Sequence, residues 1–229
     1  MKFLKASKWI VVVSTILFAL ACGDQDNGLE TVENKTETGQ LIEKYTRRKS
    51  DFAKQGKYEK YGDNGKLYIE ANYTNDTLDG ERKIYREDGT LEAVENYING
   101  SYEGKYQSFY PNGQVKFEGE YTNNAMEGVW KGYYESGQLK EEVMMENNNE
   151  NGYFKEYDEQ GKLTTEGNYL NGPFEKGELK VYDENGEVIT RKICHRGICR
   201  DIWTKEGGDI EFDETEFIEF ANKMKDLQQ

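Results

Sequence analysis

The chain has 229 residues, with 30 Lys+Arg against 44 Asp+Glu and a formal net charge of −14, enough length for one large domain or one repeat array with flanking segments. An acidic surface of this size repels phosphate backbones and argues against a nucleic-acid partner. It leaves basic proteins, or weakly held divalent cations, as electrostatic candidates. Tyrosine and glycine are abundant (17 and 24) and proline nearly absent (2), a composition that suits short strands joined by tight turns.

The first predicted element is an address. Lys2, Lys5 and Lys8 precede an apolar run over residues 9–21, interrupted only by Ser14 and Thr15. Those 13 residues fall short of the roughly 20 needed to cross a bilayer, so residues 1–21 read as a secretory signal peptide. Phe18-Ala19-Leu20-Ala21-Cys22-Gly23 resembles a bacterial lipobox, with Ala19 where that motif prefers leucine. The resemblance implies that Cys22 is diacylated and becomes the new N-terminus. Two or more acyl chains give stable anchoring, each buried methylene contributing about 0.8 kcal/mol. Gly23 replaces the aspartate that retains some lipoproteins in the inner membrane, so the expected location is the outer membrane, facing the periplasm or the cell surface. Residues 22–38 are polar and lack periodicity, and are expected to be a flexible tether.

Residues 39–200 are predicted to be a repeat array. Gly65, Gly89, Gly113, Gly137 and Gly161 recur every 24 residues, and Gly186 follows after 25. Four residues before each stands an aromatic: Tyr61, Tyr85, Phe109, Tyr133, Tyr157 and Tyr182. Two residues after each stands Leu or Val. Eight after come Tyr73, Tyr97, Tyr121, Met145, Tyr169 and Cys194, and ten after come Asn75, Asn99, Asn123, Asn147 and Asn171. A second glycine column lies nine residues before the marker, from Gly56 to Gly177. Asn64-Gly65 and its equivalents are turn signals, because asparagine and glycine tolerate positive φ. After the turn the chain alternates: Leu67, Ile69, Ala71 and Tyr73 on one face, Lys66, Tyr68, Glu70 and Asn72 on the other. The fold class predicted is all-β, an elongated antiparallel β-meander of about six 24-residue hairpin repeats with a short C-terminal helix. Gly39 to Lys54 reads as a worn half-unit that opens it.

At the far end, Cys194 and Cys199 are separated by four residues that include a glycine, a spacing that suits a disulfide across a hairpin in an exported protein. The alternative is a metal pair with His195, for which no fourth ligand is evident. Residues 201–229 form a C-terminal cap. Its helix is expected over residues 213–227, with Asp213 as N-cap, Glu216 completing a capping box, and Phe212 and Phe217 as a hydrophobic staple. Phe217, Phe220, Ala221, Met224 and Leu227 share its apolar face.

The pattern Gly-x-aromatic-Lys-x-Tyr-x-x-x-Gly-x-Leu, nearly intact in Gly128-Val129-Trp130-Lys131-Gly132-Tyr133 through Leu139 and again over residues 152–169, resembles the bacterial variant of the MORN repeat. Within that group the chain is similar to YwqK-like antitoxin proteins. The resemblance implies protein or membrane association and carries no catalytic residues. His195 is the sole histidine, and no nucleophile–base set or phosphate loop is present, so no enzyme activity, cofactor or metal is expected. The expected function is a lipid-anchored envelope module that presents a repeat surface to an unidentified envelope protein or to a membrane surface. Tyr106, Trp130, Tyr134 and Phe154 are expected to form its exposed contact stripe. The alternative is an antitoxin or immunity-type protein that neutralises a basic toxin, steered by the acidic surface. An exported protein is badly placed to act on a toxin in its own cytosol.

Overall fold

Each period folds into two antiparallel strands joined through the marker glycine. The computed structural model describes residues 13–15 and 28–226, and the chain divides into two units, Met1–Ser101 and Tyr102–Gln229. The signal peptide beyond Val13–Thr15, and Cys22, lie outside the described residues. The fold is all-β: an antiparallel meander in each unit, with one helix at the C-terminal end of the second.

The first unit contains β1 (Val13–Thr15), β2 (Leu29–Lys35), β3 (Leu41–Arg48), β4 (Lys54–Tyr61), β5 (Leu67–Thr74), β6 (Thr77–Leu78), β7 (Gly80–Tyr85) and β8 (Leu91–Ile98). Two-residue β9 (Ser101–Tyr102) follows. The second unit continues with β10 (Gly104–Phe109), β11 (Val115–Thr122), β12 (Ala125–Tyr133), β13 (Leu139–Glu146), β14 (Asn149–Tyr157), β15 (Leu163–Tyr169), β16 (Gly177–Tyr182), β17 (Val188–His195), β18 (Ile198–Thr204), β19 (Gly208–Asp209) and helix α1 (Glu214–Asp226). Strands pair with their sequence neighbours, as in β4–β5 and β14–β15.

Two kinds of turn alternate along the chain. At the marker, Gly65 N–H donates to the Gly62 carbonyl at 2.9 Å and Gly62 N–H to that of Lys66 at 2.9 Å, with Gly65 at φ 75°. This is a three-residue loop closed by a left-handed glycine, with a bulge where the register shifts between Lys60 and Tyr61. Asn64 does not take positive φ; its side chain instead accepts the Lys66 N–H at 2.9 Å. The two-residue turns fall on the asparagine column. Asn75-Asp76, Asn99-Gly100, Asn123-Asn124 and Asn147-Asn148 each place both residues at positive φ, the type I′ geometry that matches strand twist. These turns also tie one repeat to the last: the N–H groups of Asp76 and Asn124 reach the carbonyls of Lys54 and Tyr102, both at 3.0 Å.

The structure corrects the reading at the N-terminal end. Residues 29–35, expected within the tether, form β2. It pairs with β3, setting Val32 opposite Tyr45, and Val32 is buried. Glu30 and Arg47 bridge the same pair at 2.7 Å. Gly39 is therefore the marker of a full hairpin rather than half of one. The spacing from Gly39 to Gly65 is 26 residues because a longer loop at residues 49–53 replaces the two-residue turn.

One face of each meander is packed by large side chains set over small ones. In the first unit Tyr58 lies opposite Ala71, with Tyr73 at 5.4 Å from the Tyr58 ring, and the Lys54 ammonium sits about 5 Å from the rings of Tyr45, Tyr58 and Tyr73. In the second unit Trp130 leans over Gly119, and Phe154 over Gly167 against Leu179 and Cys194. Helix α1 begins as its sequence dictates. Asp213 accepts the Glu216 N–H at 2.9 Å, the Phe212 and Phe217 rings lie 5.5 Å apart, and Phe217 and Ala221 are buried. Phe220, expected on the same apolar face, is 53% exposed.

Candidate binding surface

On the face opposite the packed aromatics, charged residues oppose one another directly from strand to strand. In the second unit the register runs Glu118, Lys131, Glu142, Lys155, Glu166, Lys180, one per strand from β11 to β16. In the first unit it runs Glu33, Lys44, Glu59, Glu70, Lys83 across β2, β3, β4, β5 and β7. The period of two puts every second residue on this face, and in the second unit the 24-residue repeat returns the same charge to the same height, as in Glu118, Glu142 and Glu166. Ion pairs join the rungs: Lys131 to Glu142 at 3.3 Å, Lys180 to Glu166 at 3.1 Å, and Lys105 to Glu118 at 3.1 Å. Each such pair contributes only about 0.2–1 kcal/mol.

A tyrosine hydroxyl holds each carboxylate of the second unit's ladder. Tyr133 donates to Glu118 at 2.6 Å, Tyr157 to Glu142 at 3.4 Å, and Tyr182 to Glu166 at 2.7 Å. These bonds hold the carboxyl pKa of Glu118 and Glu166 below the usual carboxylate value, against the opposing effect of burial. Burial, with the same hydrogen bonds, pushes the hydroxyls of Tyr133 and Tyr182 up to about 12. A raised tyrosine value favours the neutral form in the fold. Its stabilisation is complete below the unfolded value of about 10 and is lost as pH rises through the folded one. The depressed glutamates act in the other direction, stabilising above the unfolded carboxylate value and losing that contribution as pH falls through the folded one. Tyrosinate absorbance in an alkaline titration should therefore show a late-titrating class near pH 12 that unfolds as it ionises. Titration of every tyrosine near 10 in the folded chain would contradict these contacts.

Residues 54–75, 78–99, 102–123, 126–147 and 150–171 each match the MORN repeat variant. These five consecutive repeats are MORN repeat variants. Each matched segment ends on the asparagine that opens the next turn; the first begins as the chain leaves the loop at residues 49–53, the others as it leaves a two-residue turn. The hairpins around Gly39 and Gly186 lie outside the matched segments. There Lys35 replaces the aromatic before the marker, and Arg196 replaces the asparagine after it. MORN repeats are in general protein- or membrane-binding modules rather than catalysts. No curated protein matches the chain.

The MORN geometry corrects the contact stripe expected from the sequence. Trp130 is 1% exposed and Phe154 3% exposed, both on the packed face, so neither is a surface side chain. The cause is the complementary space left by Gly119 and Gly167. Tyr106 is half-buried, its ring 5.8 Å from Trp130. Tyr134 is tied down by a bond from its hydroxyl to the Tyr157 carbonyl at 2.8 Å. Cys194 and Cys199 stand opposite each other across the β17–β18 hairpin and are joined as a disulfide. His195 Nε2 lies 3.2 Å from Asn222 Oδ1 of helix α1. Among the described residues no group of three or more His, Cys, Asp or Glu is placed to hold a metal. The charged ladder went unread in the sequence, yet a signal for it exists: glutamate and tyrosine recur 15 residues apart in Glu118–Tyr133 and Glu142–Tyr157, and 16 apart in Glu166–Tyr182, where the period slips.

Proposed function

We propose that the chain is a non-enzymatic MORN-repeat module, lipid-anchored through Cys22 in the cell envelope, that binds a protein partner on its charged ladder face. The observation that carries this reading is the row of glutamates, 20–27% exposed along their side chains, each already held by a tyrosine hydroxyl. Side chains fixed before binding lose less conformational entropy on contact than free ones. A regular row of alternating charge also selects for register, since a one-rung slip sets like charges opposite one another. The aromatics of the packed face are committed to the fold and are unavailable for this task.

A second reading is favoured by the net charge of −14: an immunity-type protein that captures a basic toxin in the envelope. Crosslinking in intact cells, followed by isolation of the chain and mass spectrometry, separates the two. One small basic protein at matched yield supports the immunity reading. A small set of envelope proteins supports the module reading. Crosslinks only to lipid would overturn protein binding in favour of a membrane-surface role.

A further inference from the structure

The three-residue loops of successive repeats lie side by side, and at two of them in the second unit a tyrosine fills the space between neighbours. Tyr110, three residues before its marker glycine, donates its hydroxyl to the Tyr133 carbonyl at 2.8 Å. Tyr134, one repeat later, does the same to the Tyr157 carbonyl at 2.8 Å. In the other hairpins this position is Thr36, Gly62, Arg86, Asp158 or Asp183, and at Gly62, which has no side chain, the space is open. A recess of about 740 Å³ remains, walled by Tyr61, Leu67, Tyr68 and Tyr85. Leu67 and Tyr68 are consecutive, and both line it where the bulge interrupts strict alternation.

The first loop has contacts of its own, with Lys66 Nζ donating to the Asp88 carbonyl at 3.1 Å and Gln40 Nε2 to the carbonyls of Gly62 and Asp63 at 3.2 and 2.8 Å, but the two loops share one stitch to their neighbours. Asn64 Nδ2 bonds the Glu87 carbonyl at 3.0 Å, as Asn112 Nδ2 bonds that of Glu135 at 2.8 Å, so neighbouring loops are stitched in the same way. Glycine is not demanded by the backbone at position 62, because its φ lies outside the left-handed region. A Cβ there would meet only the Asn64 side-chain oxygen, at 3.2 Å, and the Lys66 carbonyl, at 3.9 Å, as near neighbours. Asn112 coexists with Tyr110 in the same arrangement. Gly62 therefore leaves open the space that a ring fills in the repeats of Tyr110 and Tyr134.

We propose that this recess is a binding slot for a tyrosine side chain of a partner protein. The incoming ring takes the place that Tyr110 and Tyr134 take in their own repeats, and its hydroxyl donates to the Tyr85 carbonyl, the counterpart of Tyr133 and Tyr157. Three basic and three acidic side chains border the slot, a balance that suits a neutral phenol rather than a phosphorylated one. The slot rests on the reading of the chain as a protein-binding module, but it stands apart from the charged ladder, so either site can fail its own test while the other passes.

The test is a titration of the full chain in detergent micelles with acetyl-Gly-Tyr-Gly-amide, followed by backbone amide NMR. Saturable shifts at Leu67, Tyr68, Tyr85 and Arg86 are expected. The phenylalanine analogue should bind about 3- to 10-fold more weakly, having lost one hydrogen bond. Gly62→Tyr should fill the slot from within, raise the melting temperature, and weaken peptide binding at least about tenfold, by more than one hydrogen bond is worth. In the converse variant, Tyr110→Gly, a second set of shifts should appear at Val115, Tyr133 and Tyr134. Absence of saturable shifts in the unaltered chain, equal affinity in a folded Gly62→Tyr, or no gained site in Tyr110→Gly would overturn the assignment. p-Cresol binding as tightly as the peptide would assign the slot to free phenols and overturn the partner-protein source.

Discussion

Trp130→Ala should lower the free energy of unfolding by about 3–5 kcal/mol, the range for deleting a buried large aromatic. Trp130 is the largest fully buried side chain among the described residues, and it packs against Phe117, Tyr121 and Tyr106 at centroid distances of 5.1, 5.2 and 5.8 Å. These contacts join strands β10, β11 and β12, so its loss weakens three strands at once. In a repeat array stability accumulates from neighbour to neighbour, and no distant core compensates for a local cavity. Trp130→Phe provides the control. It keeps an aromatic ring and removes the buried Nε1–H, which finds no acceptor in the structure. An unpaired buried donor costs about 1–3 kcal/mol, so part of the lost packing is offset and this variant should lose much less than alanine. Equilibrium denaturation of the two variants decides the matter. A loss below about 1 kcal/mol in Trp130→Ala would mean that the indole is a surface group after all.

Gly119→Val should cost about 3 kcal/mol, at the upper end for overpacking a dense site. A Cβ at position 119 would lie 2.2–2.6 Å from Cδ2, Cε2 and Cγ of the Trp130 ring, a separation that real side chains do not adopt. The backbone at Gly119 is not left-handed, so strain in φ contributes nothing and the whole effect is steric. The penalty should accordingly depend on the indole. In a Trp130→Ala background the same substitution should cost under about 1 kcal/mol, giving a coupling of about 2 kcal/mol in a double-mutant cycle. Additive losses would mean that the two residues do not share one space. Gly167 is the milder case, since a Cβ there would meet Phe154 at 2.9 Å.

Much of the fold was legible because the repeat imposes its own statistics. Coincident columns of glycine, aromatic, aliphatic and asparagine leave little alternative to stacked hairpins. The cap of helix α1 could likewise be read from Asp213, Glu216, Phe212 and Phe217, where local rules suffice. What escaped depends on relations between strands. The packing of Trp130 follows from its fit over Gly119, a small residue on a different strand, and no single column displays that pair. Strand β2 escaped because the loop at residues 49–53 displaces Gly39 from the 24-residue period. The marker turns were read as asparagine–glycine pairs, yet only the glycine is left-handed there, and the two-residue turns belong to the other asparagine column. The binding surface was sought among aromatics, which the fold consumes, while the alternating charges looked like ordinary solvated residues until the register set them in line.

The most direct test of the account is crosslinking in intact cells of the unaltered chain beside a variant carrying Glu118→Gln, Glu142→Gln and Glu166→Gln together. Glutamine retains an oxygen to accept each tyrosine hydroxyl, so the variant should remain folded, as far-ultraviolet circular dichroism can verify. If the ladder is the binding face, the partner captured by the unaltered chain should be lost from the variant. Capture of the same partner at undiminished yield would contradict the assignment of function to this face.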